Sequence, residues 1–244
     1  MTRFLGLEVV RALRDPRYLI LAVGMPVGLY LLFTQLFGTH GERVEGIPQV
    51  VELMIAMAAY GGIWSVLSAT APRIATERQT GWLRQLRLTP LPARSVISSK
   101  VAAAVATALP AMVLVCLTAV VAHGVHLSIQ TWVEMLALMC VGTLPLALLG
   151  IAIGFLISSD AAYGVVMILY FAFGAMGGLW MPLAMLPDVM QRIGDVLPSH
   201  GIASLGWRLA AGQPLQASSV LVLGAWTLGC GLLAFLAYRR SAVR

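Results

Sequence analysis

Leu53–Ala71, LMIAMAAYGGIWSVLSATA, runs for nineteen residues without a charged side chain, and Pro72–Pro90, PRIATERQTGWLRQLRLTP, follows it at once with four arginines. At 1.5 Å per helical residue, about 20 apolar residues cross the roughly 30 Å hydrocarbon layer of a bilayer. The run is continuously apolar and does not alternate with a period of two, so it reads as a spanning helix and not as a barrel strand. Five further runs, at about 18–37, 97–122, 133–157, 161–180 and 219–238, read the same way.

The whole chain agrees with its most apolar part. Over 244 residues, 59% are apolar and 11% charged, with a mean hydropathy of +0.89. A fold surrounded by water cannot hide that much hydrocarbon, which excludes an ordinary soluble enzyme. The predicted fold class is an all-α integral membrane protein with six transmembrane helices, spans at 18–37, 53–71, 97–122, 133–157, 161–180 and 219–238, forming a single domain over residues 1–244.

The basic residues orient the bundle. Arg3, Arg11, Arg14 and Arg17 precede the first span; Arg73, Arg78, Arg84, Arg87, Arg94 and Lys100 join the second to the third; Arg239, Arg240 and Arg244 follow the last. Against these thirteen stand Arg43, Arg192 and Arg208 on the opposite side, so the positive-inside rule places both termini in the cytoplasm. The net charge of +6 is then an orientation signal that requires no nucleic acid. His40, His123, His126 and His200 fall at the outer side. Fifteen arginines against one lysine suggest a GC-rich bacterial genome, hence a bacterial cell membrane. The first run ends in Leu36-Phe37-Gly38 without a small-x-small site, so it is expected to stay as a span and not to be cleaved.

Shorter elements flank the spans. Leu5, Val9, Ala12 and Leu13 share one helical face opposite Glu8, Arg11 and Asp15, which predicts an N-terminal helix lying in the membrane interface. In the outer segment Met181–Ser218, Leu186, Val189, Met190, Ile193 and Leu197 recur at spacings of three or four between Pro182, Pro187 and Pro198, predicting short re-entrant helices at the outer interface. Pro26, Pro110 and Pro145 lie inside spans and are expected to bend them. Gly24/Gly28, Gly150/Gly154 and Gly174/Gly178 form small-xxx-small pairs that allow close helix packing.

The chemistry missing from the spans narrows the function. No Asp, Glu, Lys or Arg lies near the middle of any span, which leaves a proton- or ion-coupled transporter without a site. A Walker loop needs Gly-Lys-Ser/Thr, and the single lysine, Lys100, stands between Ser99 and Val101. There is no Gly-x-Ser-x-Gly elbow, no His-Glu-x-x-His pattern and no intramembrane carboxylate pair. Ser65, Ser68 and Thr70 read as hydroxyls bonded to helix carbonyls, and Cys116, Cys140 and Cys230 as small apolar packing residues. The chain is therefore not expected to be an enzyme or to hold a metal or cofactor. If it transports, another polypeptide supplies the energy.

The cytoplasmic segment after the second span is patterned: Trp82, Leu83 and Leu86 form an apolar ridge, with Arg84 and Arg87 three residues apart on another face. Such a helix fits a partner's groove or an anionic lipid surface. Glu77-Arg78, Gly81, Leu83, Leu86 and Pro90 before the third span, together with Gly177-Gly178 and the following Pro182, Pro187 and Pro198, resemble the membrane subunits of type-2 ATP-binding-cassette (ABC) exporters. The six spans and the length fit this family as well, so the resemblance covers the whole chain.

The resemblance implies a homodimer or heterodimer of permeases above two copies of a separate ABC ATPase subunit, with ATP and Mg bound on that partner. It implies a coupling helix after the second span, making Glu77, Arg78, Gly81, Trp82, Leu83, Arg84 and Leu86 ATPase-coupling residues. It also places the substrate pathway between the second and fifth spans of the two protomers. Met57, Tyr60, Gly61, Trp64 and Ser68 form one stripe of the second span, and Tyr163, Met167, Tyr170, Gly174 and Gly177 one stripe of the fifth. Without fixed charge, this surface suits an amphiphilic small molecule, a drug, antibiotic or lipid, exported in efflux or antibiotic resistance. The alternative of another class is a membrane anchor or immunity subunit that recruits a cytoplasmic protein without transporting.

Overall fold

The fold is taken from a computed structural model that describes residues 19–37, 43–44, 46–81 and 93–243. In chain order, a π-helical segment, Leu19–Gly24, leads into α1, Met25–Phe37; a two-residue hairpin, β1 Arg43–Val44 and β2 Ile47–Pro48, leads into α2, Gln49–Gln79. Then come α3, Ala93–His123; α4, Ile129–Gly142; α5, Leu144–Leu156; and α6, Ser159–Met176. A 3-10 turn at Leu183–Met185 precedes α7, Asp188–Asp195; α8, Pro198–Ala210; and α9, Ala217–Val243. The antiparallel hairpin pairs Arg43 with Pro48 and Val44 with Ile47.

Five helical stretches are long and apolar enough to cross a membrane: Gln49–Gln79, Ile97–His123, Ile129–Leu156, Ser159–Met176 and Ala217–Arg240. The first expected span corresponds to a shorter apolar helix, Ile20–Leu36. The protein is therefore a multi-pass, all-α membrane protein. The expected N-terminal interfacial helix lies outside the described residues, as do Trp82, Leu83, Arg84 and Leu86 of the expected coupling helix.

α2 is the hub. Of its most apolar window, 94% is buried by the chain's own helices, against 22% for α9. It packs on α1, α3, α5, α6 and α8. Glycines set the closest approaches. A Cβ on Gly61 would stand 2.4 Å from the Ala22 oxygen, and one on Gly62 would meet the Met112 methyl at 2.3 Å. From α5, Gly150 faces Thr70 and Gly154 faces Ala71 and Ile74, so the Gly150/Gly154 pair does seat one helix against another.

Several boundaries differ from the sequence expectation. α2 does not end at Ala71 but continues through Pro72 to Gln79. Ala71, Ile74 and Ala75 extend its buried face at helical spacing, and this packing carries the helix past a proline that deprives the Ser68 carbonyl of its donor. The expected span 133–157 is two helices meeting at Thr143. Pro145 has no N–H for the Val141 carbonyl, and Thr143 closes the turn by donating both its N–H, at 3.1 Å, and its hydroxyl, at 2.7 Å, to the Cys140 oxygen. The fifth span stops at Met176, four residues early, because Gly178 adopts φ +73° and Leu179 N–H donates back to the Gly174 oxygen at 3.2 Å, a Schellman-type stop.

The segment 181–218 forms the expected short helices, but its two pieces differ. α7 leaves its apolar Val189, Met190 and Ile193 exposed. α8 returns into the bundle, where Ile202 and Ala203 are fully buried, Trp207 Nε1 donates to the Glu52 oxygen at 3.0 Å and Ser204 bonds Ser219 at 2.8 Å.

Candidate functional site

Pro26 begins the construction of the site. It offers no N–H to the carbonyl of Ala22 four residues back, nor to that of Leu21 five residues back, and the helix widens into π geometry over Leu19–Gly24. The freed Leu21 oxygen accepts a hydrogen bond from Tyr170 Oη of α6 at 2.9 Å. Gly61 of α2 makes room for the freed Ala22 oxygen. The π-helical stretch before Pro26 thus meets α2 and α6 at the same place.

There the two expected stripes face each other within one chain. The rings of Tyr60 and Tyr170 stack with centroids 3.9 Å apart and 8° between their planes. Trp64 lies one turn along α2, 5.1 Å from Tyr170 and 6.3 Å from Tyr163, ring to ring. Met57, Tyr60, Trp64 and Tyr170 have no exposed surface. Gly174 is buried at the upper edge, where an added Cβ would stand 2.7 Å from both Tyr60 and the Trp180 nitrogen. Tyr163 and Met167 are half-buried beside this core. Ser68 is half-buried too and donates to the Ser65 oxygen at 3.3 Å, while Ser65 and Thr70 donate to helix carbonyls at 2.8 and 2.6 Å, as expected for structural hydroxyls.

Trp180 completes the cluster, edge-on to Tyr60 at 5.7 Å and to Phe171 at 6.0 Å. Sequence reading placed it at the end of a span. The reversal after Gly177-Gly178, which turns it back over α6, was the available signal. The polar atoms are unevenly served. Tyr170 is bonded, but Trp64 Nε1 and Trp180 Nε1 have no acceptor, and Tyr60 Oη rests near Tyr170 and Trp180 without a hydrogen bond of normal geometry. Each buried donor left unpaired costs about 1–3 kcal/mol.

At the other end of α2, Glu77 and Arg78 occupy its last turn. Glu77 pairs with Lys100 of α3. Arg78 donates to the oxygens of Phe155 and, at 2.8 Å, Ile157, where α5 ends. A cation at a helix C-terminus answers both the orphaned carbonyls and the dipole. Phe155 also meets Tyr238 of α9 edge-on at 5.4 Å, so α2, α5 and α9 converge here. Gly81 follows in the left-handed conformation, φ +76°, which lets the chain turn sharply out of α2. Both expected coupling residues that lie on α2 are thus held within the protomer, just before the segment of sequence that carries the rest.

Among the described residues no group of three His, Cys, Asp or Glu side chains could hold a metal, and the three cysteines are buried thiols. A bundle of spanning helices around one enclosed helix, with a charge-free aromatic contact at its heart, has the build of a membrane transport subunit. A family model described as ABC-2 family transporter protein matches residues 34–236, and the chain belongs to that family. It is also similar to YvfS of Bacillus subtilis (strain 168), named as a transport permease: 27% identical over 221 residues, 91% of this chain and 89% of that protein. The protein is therefore an ABC transporter permease, a transport subunit whose family implies an ABC ATPase partner.

Proposed function

We propose that the chain is the permease of an ATP-driven exporter that moves an amphiphilic small molecule out of a bacterial cell, with α2 and α6 lining its pathway. The observation that carries this reading is the apposition of Tyr60 and Tyr170, an aromatic contact with no charged side chain in it. Apolar bodies with a few placed polar atoms are what such a surface binds. Energy comes from two copies of a separate ATPase carrying ATP and Mg, docked at the loop that begins at Gly81 and contains Trp82, Leu83, Arg84 and Leu86. Glu77 and Arg78 anchor that loop from inside. Two permeases, alike or different, form the transporter, with both termini in the cytoplasm.

The test addresses docking and pathway separately. Leu83→Asp with Leu86→Asp buries charge in the partner's groove, so the ATPase should no longer co-purify while the permease stays in the membrane. Retention of the ATPase by this variant would return the loop to a lipid-anchoring role. Tyr170→Ala and Trp64→Ala should weaken substrate stimulation of the ATPase in the purified complex.

A further inference from the structure

Three idle donors stand together in the aromatic cluster, and Ser199 Oγ, set against Gly177 at the adjoining turn, is another buried polar atom without a hydrogen bond. Hydroxyls elsewhere in the spans find helix carbonyls, as Ser65, Thr70 and Thr107 do, and Tyr170 finds Leu21. Trp64 is fully buried at the centre, yet its N–H points to no acceptor. Trp180 N–H and Tyr60 Oη, in contact with one another's rings, are in the same state. Stability alone gives no reason for this grouping, since phenylalanine at each position would remove the penalty.

The chemistry of the missing partner follows from the donors. An indole N–H donates and cannot accept, so what completes Trp64 and Trp180 is an acceptor oxygen or nitrogen. The aromatic cluster itself contains no charged side chain, so a bound anion would lack a counter-charge and a bound cation would have only ring faces. An uncharged oxygen avoids both costs. Resting on the assignment of α2 and α6 to the pathway, we propose that this cluster recognises an uncharged amphiphile bearing carbonyl, ether or phosphoryl oxygens on an apolar body. Its oxygens take hydrogen bonds from Trp64, Trp180 and Tyr60, and its body replaces the Tyr60–Tyr170 stack.

The permease–ATPase complex in lipid nanodiscs is dialysed to equilibrium against three probes of similar shape: triphenylphosphine oxide, triphenylphosphine and tetraphenylphosphonium. After correction for protein-free nanodiscs, the oxide should bind at least about fivefold more tightly than either of the others, the worth of one or two hydrogen bonds. Tyr60→Phe, Trp64→Phe and Trp180→Phe should each weaken the oxide about threefold to tenfold more than they weaken triphenylphosphine, whose binding reports any loss of ring area. Without probe, Tyr60→Phe should leave the thermal midpoint unchanged or raised, because no bond is lost. Equal binding of oxide and phosphine, preference for the phosphonium, no binding of any probe, or a lower midpoint for Tyr60→Phe overturns the proposal. Loss of all three probes in Trp64→Ala and Tyr170→Ala, with the phenylalanine variants silent, would sink the acceptor requirement and leave the pathway standing. Binding that neither alanine variant disturbs would remove the pathway assignment itself.

Discussion

Arg78 Nη2 donates to the main-chain oxygen of Ile157 at 2.8 Å, and the same guanidinium reaches the Phe155 oxygen, so one side chain closes the end of α5 with two bonds. Charged hydrogen bonds of this kind contribute about 1–2 kcal/mol each when half-buried. Arg78→Ala should lower the thermal midpoint of the purified permease, measured in nanodiscs. Arg78→Lys should restore only part of the loss, because an ammonium lacks the planar fork that serves two carbonyls at once.

Tyr170 and Tyr60 stack on each other but should respond oppositely to loss of the hydroxyl. Tyr170→Phe strands the Leu21 oxygen, whose helical donor Pro26 has already removed, and should cost about 1–3 kcal/mol. Tyr60→Phe strands nothing. Thermal unfolding of the two single variants side by side checks the sign. Equal destabilisation would mean that both hydroxyls are bonded.

A methyl group at Gly150 would stand 2.0 Å from Thr70 Oγ1. Gly150→Ala should therefore destabilise by about 1–3 kcal/mol through overpacking. Adding Thr70→Ala removes that oxygen and leaves a 3.1 Å contact with Cβ, so the double variant should be more stable than Gly150→Ala alone. An additive result in this cycle would show that α2 and α5 do not meet here as described.

Thr80 and Gln130 are both exposed, at opposite ends of the bundle. With Cys116, Cys140 and Cys230 replaced, a cysteine at Gln130 should react with an impermeant maleimide added outside intact cells, and one at Thr80 should react only after permeabilisation. The reverse pattern would invert the orientation drawn from the arginines.

Much of this fold was legible because lipid imposes a coarse rule, that a spanning segment be apolar and helical. The same rule says little about where a helix stops. Ala71 looked like an end because Pro72 and Arg73 follow, yet Ile74, packed on α5, and Ala75 are buried and keep α2 helical to Gln79. Pro145 announced a bend in the fourth span, but not that the helix would stop at Thr143, which depends on the Val141 carbonyl losing its donor to Pro145. The stripes of Tyr60, Trp64, Tyr163 and Tyr170 were visible as periodicity, but periodicity cannot say what a stripe faces. Trp180 joined them only because Gly178 reverses the chain, and Glu77 and Arg78 found partners 23 and 79 positions away, respectively, that local spacing could not name.

The glycine contacts also brace α2 where its own ladder is weakest. Gly150 and Gly154 lie about one turn apart on α5 and bring its backbone against Thr70, Ala71 and Ile74, on either side of the Pro72 that leaves the Ser68 carbonyl without its helical donor. A proline in mid-helix is a natural place for a helix to bend. Here a neighbouring backbone lies close against both sides of that place, so a larger side chain at Gly150 or Gly154 would push away the support from the one turn of α2 that lacks a full set of bonds.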